Sequence, residues 1–231
     1  MIDDPIEFYN EFGYVIIDDM FTEEACEEIK SHAEKVHKSD YAVYLNIHRD
    51  VPFFFDLASS SLLVDVVKSL QKTEVVITND QYLYKKSGTP YAKQAWTPHQ
   101  DATYTNAPYG TYMQLHIMLD DQSKENGGLY FYPGSHKEPL LPYIYSKSWR
   151  EEFDENGVSH PGWKVEVPDK YEKVDVNVKA GTVFIQHGNL IHGSYANLSD
   201  RSRSQYSIAY LDKGTKINKG EASIKVPISV K

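Results

Sequence analysis

The sequence predicts a mainly β fold with flanking helices, in which short antiparallel strands form a two-sheet barrel. Amphipathic helical patterns occur in about the first 72 residues, whereas from about Glu74 onward β-branched or aromatic runs alternate with Gly, Pro, Asn and Asp. Strands do not alternate with helices along the chain. A series of strands that follows a series of helices favours an antiparallel barrel over a parallel sheet.

Composition limits the function classes that fit this chain. The 231 residues suit one domain, which we expect to span residues 1–231. A net charge of −9 without a basic patch disfavours nucleic acid as a partner. No apolar run approaches the roughly 18 to 20 residues of a membrane span, and Cys26 is the single cysteine. With the acidic first residues, these features predict a cytoplasmic protein without a membrane partner. They do not indicate an oligomeric state.

The helices belong to an N-terminal region of about residues 1–72. Residues 5–38 predict a helix, a short strand at 14–17 and a second helix. Thr22 is the predicted N-cap of the second helix, because its hydroxyl can accept a hydrogen bond from a free backbone N–H group. Apolar residues recur on one face of this helix at spacings of three and four: Cys26, Ile29, Ala33 and Val36. Residues 60–72 predict another amphipathic helix.

The strands belong to a predicted barrel core of about residues 74–212. The strand-like runs are VVIT, QYLYKK, YMQLHIML, LYFYPG, KVDVNV, TVFIQ and QYSIAYL. Residues 137–169 lack clean periodicity, and loops of this length in a compact domain are usually functional or disordered. Four aromatic side chains favour an ordered flap in this segment: Tyr143, Tyr145, Trp149 and Trp163.

A His-x-Asp tripeptide at residues 99–101 is a candidate for metal binding. Two imidazoles and one carboxylate are the ligands of non-heme ferrous oxygenases, and residues two apart on a strand project to the same side. A second tripeptide, His48-Arg49-Asp50, reads as a polar turn. The third ligand is either His187 or His192, which follow an apolar strand. Arg201 and Arg203 come shortly afterwards, and a guanidinium can bind a dicarboxylate.

Four ordered segments carry a specific resemblance. They are EFYNEFGYVIIDDMFTEEACEEIK near the N-terminus, PHQD, MLDDQSKENGGLYFYPGSHK in the centre, and VKAGTVFIQHGNLIHGSYANLSDRSRSQYSIAYL near the end. Together they resemble the phytanoyl-CoA dioxygenase family of Fe(II)/2-oxoglutarate-dependent oxygenases. The likeness extends over about residues 6–212 and is weakest at 137–169. It implies a double-stranded β-helix core, the cupin-like jelly roll.

The resemblance also implies roles for individual residues. His99, Asp101 and His192 match the facial metal triad, and Arg203 matches the arginine that binds the C5 carboxylate of 2-oxoglutarate. Ser194 and Gln100 occupy positions that help to hold the co-substrate in relatives. Two further histidines differ from the motifs: His116 lies where many relatives carry Trp, and His187 matches no motif position.

The activity that this resemblance implies is hydroxylation of a C–H bond. An acyl-CoA substrate would need several basic groups for its phosphates, and the acidic chain has only scattered ones, so we expect a small, polar metabolite instead. The cofactors would be Fe(II), 2-oxoglutarate as co-substrate and O2, with succinate and CO2 as products. Related halogenases lack the carboxylate ligand, so the presence of Asp101 favours hydroxylation. Desaturation or ring formation stays open, as does the identity of the substrate, over which the 137–169 flap is expected to close. Two alternatives are a non-oxygenase cupin-like metal-binding protein and a jelly-roll binding module.

Several further side chains have open assignments. His136 lies in a predicted tight turn and is expected to be a structural hydrogen-bonding residue. Either or both of Arg201 and Arg203 can face the barrel interior. Adjacent lysines on a strand face opposite sides, so one of Lys85 and Lys86 is expected to point inward. The following aromatic residues fit the barrel core or its rim: Trp96, Tyr104, Tyr109 and Tyr112.

Overall fold

The computed structural model describes residues 2–36, 43–145, 154–217 and 226–231. Six α-helices lie in these ranges, most of them before the main strands. Their bounds are α1 Pro5–Phe12, α2 Glu23–Val36, α3 Ile47–Asp50, α4 Pro52–Ala58, α5 Ser61–Gln71 and α6 Ala102–Thr105. Two short 3-10 helices cover Pro90–Lys93 and Ser135–Lys137. The end of the second predicted helix, at residues 37–38, lies outside the described residues.

In the described part of the chain, twelve strands form two antiparallel sheets and a hairpin. Their bounds are β1 Tyr14–Ile17, β2 Val43–Leu45, β3 Val75–Lys85, β4 Tyr112–Met118, β5 Leu129–Phe131, β6 Tyr143–Tyr145, β7 Trp163–Val165, β8 Val174–Asp175, β9 Val183–His187, β10 His192–Ser194, β11 Arg203–Asp212 and β12 Ile228–Ser229. The larger sheet has the order β1-β9-β4-β11-β3-β12, and β2 also pairs with β3. The smaller sheet has the order β10-β5-β8.

The helices cover one face of the larger sheet. Their apolar stripes pack against residues that alternate along the central strands β4 and β11. On the helical side this core includes Cys26, Ile29, Phe54, Leu63 and Val67, and on the sheet side it includes Leu115, Ile117, Tyr206, Ile208 and Tyr210. The other side chains of the same strands face away from the helices. Every residue of β4 is therefore buried.

A bulge in β3 determines which of its side chains face the helices. Pairing between β3 and β11 shifts register at Ala209 and Tyr210, so that Ile77 and Asn79 lie opposite consecutive residues of β11. One extra residue inverts the alternation of a strand. Beyond the bulge, Asp80 bonds to a core tyrosine, whereas Gln81 and Leu83 line the interior cavity.

The smaller sheet packs over the larger one near strands β4 and β9. Their contact is a compact apolar cluster whose members come from both sheets: Met118, Leu129, Phe131, Val176, Phe184 and Leu190. Antiparallel sheets with helices on the outer face confirm the predicted mainly β fold. Among the described residues, no helix combines the length and the hydrophobicity needed to cross a membrane.

The elements agree with the sequence predictions except at specific places. Thr22 accepts a hydrogen bond from the N–H of Ala25 at 3.3 Å, which confirms the predicted cap. VVIT and QYLYKK were predicted as separate runs, but β3 is one continuous strand because β11 pairs along its whole length. Residues 47–50 form α3 rather than a turn.

The predicted flap contains the hairpin β6-β7. Tyr143 stacks on Trp163 with ring centroids 4.0 Å apart, and Trp163 in turn contacts Tyr104 at 4.9 Å. These contacts show order in the parts of the flap that the structure describes. Residues 146–153, with Trp149, lie outside them.

Candidate metal centre

A cavity of about 220 Å³ lies between the two sheets. The larger sheet contributes inward residues such as Gln81, His116 and Gln205, and the smaller sheet contributes Leu129 and Ser194. The three predicted ligands and the predicted arginine line the same cavity: His99, Asp101, His192 and Arg203. The structure thus brings the His99–Asp101 tripeptide together with His192 and Arg203, which are distant from it along the chain.

The two histidines face each other across a backbone bridge. The N–H of His99 donates to the carbonyl of His192 at 2.9 Å, and the reverse bond measures 3.0 Å. Their ring centroids are 4.3 Å apart. One ligand atom from each of these histidines and one from Asp101 lie within 4.8 Å of one another. Such spacing allows all three side chains to coordinate a single ion.

The prediction that His99 and Asp101 lie on one regular strand is wrong. His99 forms an isolated bridge, whereas Asp101 has helical backbone angles, φ −64° and ψ −35°, and precedes α6. The chain turns between the two residues because α6 begins there. The turn, rather than strand alternation, directs both side chains into the cavity.

Backbone carbonyls fix the tautomers of both histidines. The Nδ1 of His99 lies 2.7 Å from the carbonyl oxygen of Thr97, and the Nδ1 of His192 lies 3.0 Å from that of Leu190. A carbonyl oxygen can only accept, so each Nδ1 carries the proton and each Nε2 carries the lone pair that a metal ligand needs. The two Nε2 atoms lie 3.5 and 3.6 Å from the carboxylate oxygens of Asp101.

The charge state of these groups suits metal binding. Burial alone would raise the pKa of Asp101, but His192 and His99 hold this pKa below its ordinary value. Burial lowers the pKa of His192 to about 4. At neutral pH the carboxylate is therefore ionised and the His192 imidazole is neutral, which are the forms that coordinate metals.

A buried amide holds the Asp101 carboxylate in place. Gln186, at the inner face of β9, donates from Nε2 to Oδ2 of Asp101 at 3.0 Å. The same amide nitrogen lies 3.1 Å from Nε2 of His192. Hydrogen bonds to a ligating carboxylate orient it and tune the metal site. Gln186 was not identified from the sequence.

Arg203 is a buried cation on the cavity wall. Its side chain is 1% exposed, and its guanidinium donates to the carbonyl of Gly127 at 2.7 Å. Burial lowers the pKa of Arg203 to about 9, so the group is charged at neutral pH. Its Nε has no hydrogen-bond partner among the residues that the structure describes. A buried unpartnered donor of this kind suits an anionic ligand.

Lys85 lies beside Arg203 and orients Ser194. The two cations are directly paired across β3 and β11. The Nζ of Lys85 donates to Oγ of Ser194 at 2.9 Å, and also to the carbonyls of Gly127 and Tyr195. Burial and the charge of Arg203 lower the pKa of Lys85. Because Nζ donates this bond, the Ser194 oxygen accepts and its hydroxyl proton stays available to the cavity.

The structure does not bring Gln100 into the cavity. Its Nε2 donates to the carbonyls of Pro139 and Asn189 at 3.1 and 3.0 Å. Its Oε1 accepts from the N–H of Leu141 at 2.8 Å. The side chain is fully buried and fixes the start of the flap segment. This observation leaves the predicted co-substrate contact of Gln100 without support.

Comparison with known proteins identifies the family. The sequence profile of the phytanoyl-CoA dioxygenase (PhyH) family matches residues 9–205. The chain belongs to the phytanoyl-CoA dioxygenase family. A family member from Arabidopsis thaliana, named phytanoyl-CoA dioxygenase, is 30% identical over 162 residues, which cover 70% of this chain and 53% of the relative. The chain thus spans about half the length of that curated relative.

Solved structures with the same fold confirm the double-stranded β-helix. The epimerase SnoN, in complex with Fe3+, alpha ketoglutarate and nogalamycin RO, superposes with a TM-score of 0.76 at 18% identity. That match covers 98% of this chain and 94% of SnoN. EctD from S. alaskensis, with 2-oxoglutarate and 5-hydroxyectoine, gives 0.71 at 19% identity, covering 94% of this chain and 78% of EctD.

Other polar residues that the sequence left open lie outside the triad of this phytanoyl-CoA dioxygenase family member. His187 accepts the N–H of Asn189 at Nδ1, at 2.9 Å. His136 contacts the carbonyl of Asn10 through Nε2 at 3.2 Å, in agreement with its predicted structural role. Arg201 precedes β11 and is exposed, and Lys86 is exposed beside the inward Lys85.

The aromatic residues divide between the cavity and its rim. Trp96, Tyr104 and Tyr112 line the cavity. Tyr109 is 60% exposed and packs on His187. Strand alternation predicted that Lys85 or Lys86 points inward but did not decide between them, because the inward direction of Lys85 depends on the bulge in β3.

Proposed function

We propose that this chain is an Fe(II)- and 2-oxoglutarate-dependent dioxygenase that hydroxylates a C–H bond of a small, polar metabolite and releases succinate and CO2. One observation carries the proposal. A cluster of two imidazoles and one carboxylate lines the same cavity as a buried guanidinium whose Nε has no partner among the described residues. This combination suits a metal-chelated dicarboxylate.

The donor set fits a ferrous ion. His99 and His192 would each bind through Nε2, and Asp101 through a carboxylate oxygen, which makes a facial triad. Bound there, Fe(II) would supply the O2-dependent oxidation. All three side chains line the cavity, so a keto acid and O2 could reach a metal held there. The carboxylate of Asp101 would fill the coordination position that chloride takes in related halogenases, which supports hydroxylation.

Arg203 and Ser194 would bind the far carboxylate of 2-oxoglutarate. The guanidinium is held by the Gly127 carbonyl, and Lys85 directs the Ser194 hydroxyl proton away from itself. Both donors are buried, so a carboxylate between them exchanges its water shell for charge-assisted hydrogen bonds. A cupin-like metal-binding protein or a binding module would have no use for this buried cation.

The small volume of the cavity and the amide side chains on its wall support a small, polar substrate. Neutral amides line the wall beside the metal ligands, at Asn79, Gln81 and Gln114. An acyl-CoA would require several basic groups for its phosphates, and among the described residues that line the cavity Arg203 is the one strongly basic side chain. The hairpin β6-β7 would close over the substrate and exclude water. EctD was solved with 5-hydroxyectoine, and SnoN is an epimerase. Because proteins of this fold differ in this way, we expect the position of the substrate to decide which reaction occurs.

We further propose that residues 1–231 act as one domain and that the enzyme is cytoplasmic. Helices of the N-terminal region and strands of the barrel share one apolar core, which supports a single folding unit. The single cysteine is buried and free, which suits a reducing compartment.

An anaerobic titration of Fe(II) and 2-oxoglutarate tests the proposal. We expect a weak visible metal-to-ligand charge-transfer band in the wild-type protein and its loss in His192→Ala. The matched control is His187→Ala, which removes a buried histidine at the end of β9, the strand before β10, and should retain the band. Arg203→Ala should weaken 2-oxoglutarate affinity, whereas Arg201→Ala should not. An unchanged band in His192→Ala would overturn the ligand assignment.

Turnover provides the second test. The wild-type protein should form succinate from 2-oxoglutarate when Fe(II) and O2 are present, and addition of a substrate should accelerate it. Metal binding without any succinate would instead favour the cupin-like metal-binding protein.

A further inference from the structure

His116 has a buried ring nitrogen that the proposed ligands and the fold leave unused. It lies on β4 with its side chain toward the cavity and is 3% exposed. Its ring stacks against Phe184, with centroids 5.7 Å apart. The Nε2 atom has no hydrogen-bond partner among the described residues. Because buried polar atoms are nearly always satisfied in folded proteins, this atom calls for a partner.

The other ring nitrogen determines what kind of partner is needed. The Nδ1 of His116 lies 2.7 Å from Oγ of Ser207 and 3.2 Å from Nε2 of Gln205. The amide of Gln205 is itself oriented by Gln122, which donates to its Oε1 at 3.4 Å. An amide nitrogen only donates, so Nδ1 accepts and the ring proton resides on Nε2. The cavity therefore receives one N–H donor from His116.

The surroundings of His116 indicate an anionic acceptor. The ring lies within electrostatic reach of two metal ligands, Asp101 and His192, and also of Arg203. It is therefore near both the metal site and the arginine that the proposed co-substrate would contact. Burial keeps the imidazole neutral by lowering its pKa to about 3. A neutral donor in this position adds a hydrogen bond without adding charge to the pair Arg203 and Lys85.

We propose that His116 donates a hydrogen bond from Nε2 to the 2-oxoglutarate molecule and thereby contributes to co-substrate affinity. This inference rests on the proposed function. It assigns His116 to co-substrate binding rather than to metal coordination or to packing alone. The network of Gln122, Gln205 and Ser207 positions the ring so that the donor faces the cavity.

Two substitutions separate this role from a structural one. In His116→Gln the side-chain amide reaches the place of Nε2, whereas in His116→Asn it reaches the place of Nδ1. We expect His116→Asn to raise the dissociation constant of 2-oxoglutarate by about tenfold or more. His116→Gln should stay within about threefold of the wild type. The measurement is the anaerobic charge-transfer titration, repeated with Mn(II) in place of Fe(II) and followed by intrinsic fluorescence.

A labelled sample makes the test independent of variant stability. In wild-type protein with 15N-histidine and Zn(II), the Nε2–H proton resonance of His116 should move downfield when 2-oxoglutarate is added. This resonance is assigned by its absence from the spectrum of His116→Gln. An unmoved resonance, or unchanged co-substrate affinity in a folded His116→Asn, overturns the inference and leaves the proposed function intact. Failure of the wild type to bind 2-oxoglutarate overturns both.

Discussion

Two His-x-Asp tripeptides occur in this chain, and their surroundings differ completely. At residues 48–50 the tripeptide forms α3. His48 turns inward, where its Nδ1 lies 2.7 Å from Oδ1 of Asp80. Asp50 lies at the surface and accepts a hydrogen bond from Tyr44 at 3.1 Å. At residues 99–101 both side chains enter one cavity and meet His192.

The difference shows that local backbone conformation decides what a short motif can bind. Residues two apart on a helix project from different faces, so His48 and Asp50 cannot share an ion. The pair of His48 and Asp80 instead connects α3 to β3, and Tyr206 donates to the same carboxylate. One tripeptide stabilises the fold, whereas the other is placed to bind a metal.

Removal of the Asp101 carboxylate should have the largest effect. Asp101→Ala is expected to abolish Fe(II) binding, because the facial triad loses its one anionic ligand. Anaerobic equilibrium dialysis with metal analysis measures this. Asp50→Ala is the matched control, since it removes the carboxylate of the other tripeptide. Equal metal affinity in the two variants would contradict the contrast between the motifs.

Asp80→Asn should reveal the structural role of the first tripeptide. Both members of the pair with His48 are fully buried. Breaking such a pair leaves an uncompensated buried group and should lower the free energy of unfolding by about 3 kcal/mol. Chemical denaturation measures the loss. Metal affinity of the folded variant should equal that of the wild type. A parallel loss of metal binding would show that the His48–Asp80 pair also supports the metal site.

Acidification should destabilise the metal-free protein through histidines that are buried neutral. Burial lowers the pKa of His187 to about 3, whereas the unfolded chain has the ordinary value near 6.5. The unfolded state therefore binds more protons below about pH 6.5, and the stability present above that pH is lost as the pH falls toward 3.

Replacement of His187 isolates its share of this loss. His187→Asn keeps an acceptor for the Asn189 N–H group but does not titrate. Between pH 7 and 5 the wild type should lose about 2 kcal/mol more unfolding free energy than the variant. Urea denaturation at both pH values measures the difference. Identical pH dependence would show that His187 is not held neutral in the fold.

Gln186→Leu should have the smallest of these effects. It removes the hydrogen bond that orients the Asp101 carboxylate but leaves all three ligands. Loss of such a contact should weaken metal binding by about tenfold. The same dialysis experiment measures it, with thermal unfolding to confirm an intact fold. Unchanged affinity would mean that the turn before α6 alone fixes Asp101.

Patterns local to the sequence predicted much of the fold and the central site residues. Strands β4, β9 and β11 follow from β-branched and aromatic runs, and α2 and α5 follow from apolar spacing. The resemblance singled out His192 over His187, and the geometry agrees because Nδ1 of His187 is occupied by a backbone N–H. Such features depend on short windows of the chain or on ordered motifs.

The remaining features depend on contacts between distant segments. The bulge opposite Ala209 directs Lys85 inward, and no local pattern marks it. Gln100 is adjacent to two predicted ligands, yet its amide binds the backbone near Pro139 because the flap segment passes there. Gln186 precedes His187 in an apolar strand, and its role becomes evident only from its hydrogen bond to Asp101.

The most direct test is a crystal structure of the protein with Mn(II) and 2-oxoglutarate, with the metal located by anomalous scattering. We expect one metal within bonding distance of Nε2 of His99, Nε2 of His192 and a carboxylate oxygen of Asp101. We also expect the far carboxylate of 2-oxoglutarate to contact Arg203. A metal bound elsewhere, or a keto acid that does not contact Arg203, would contradict these expectations.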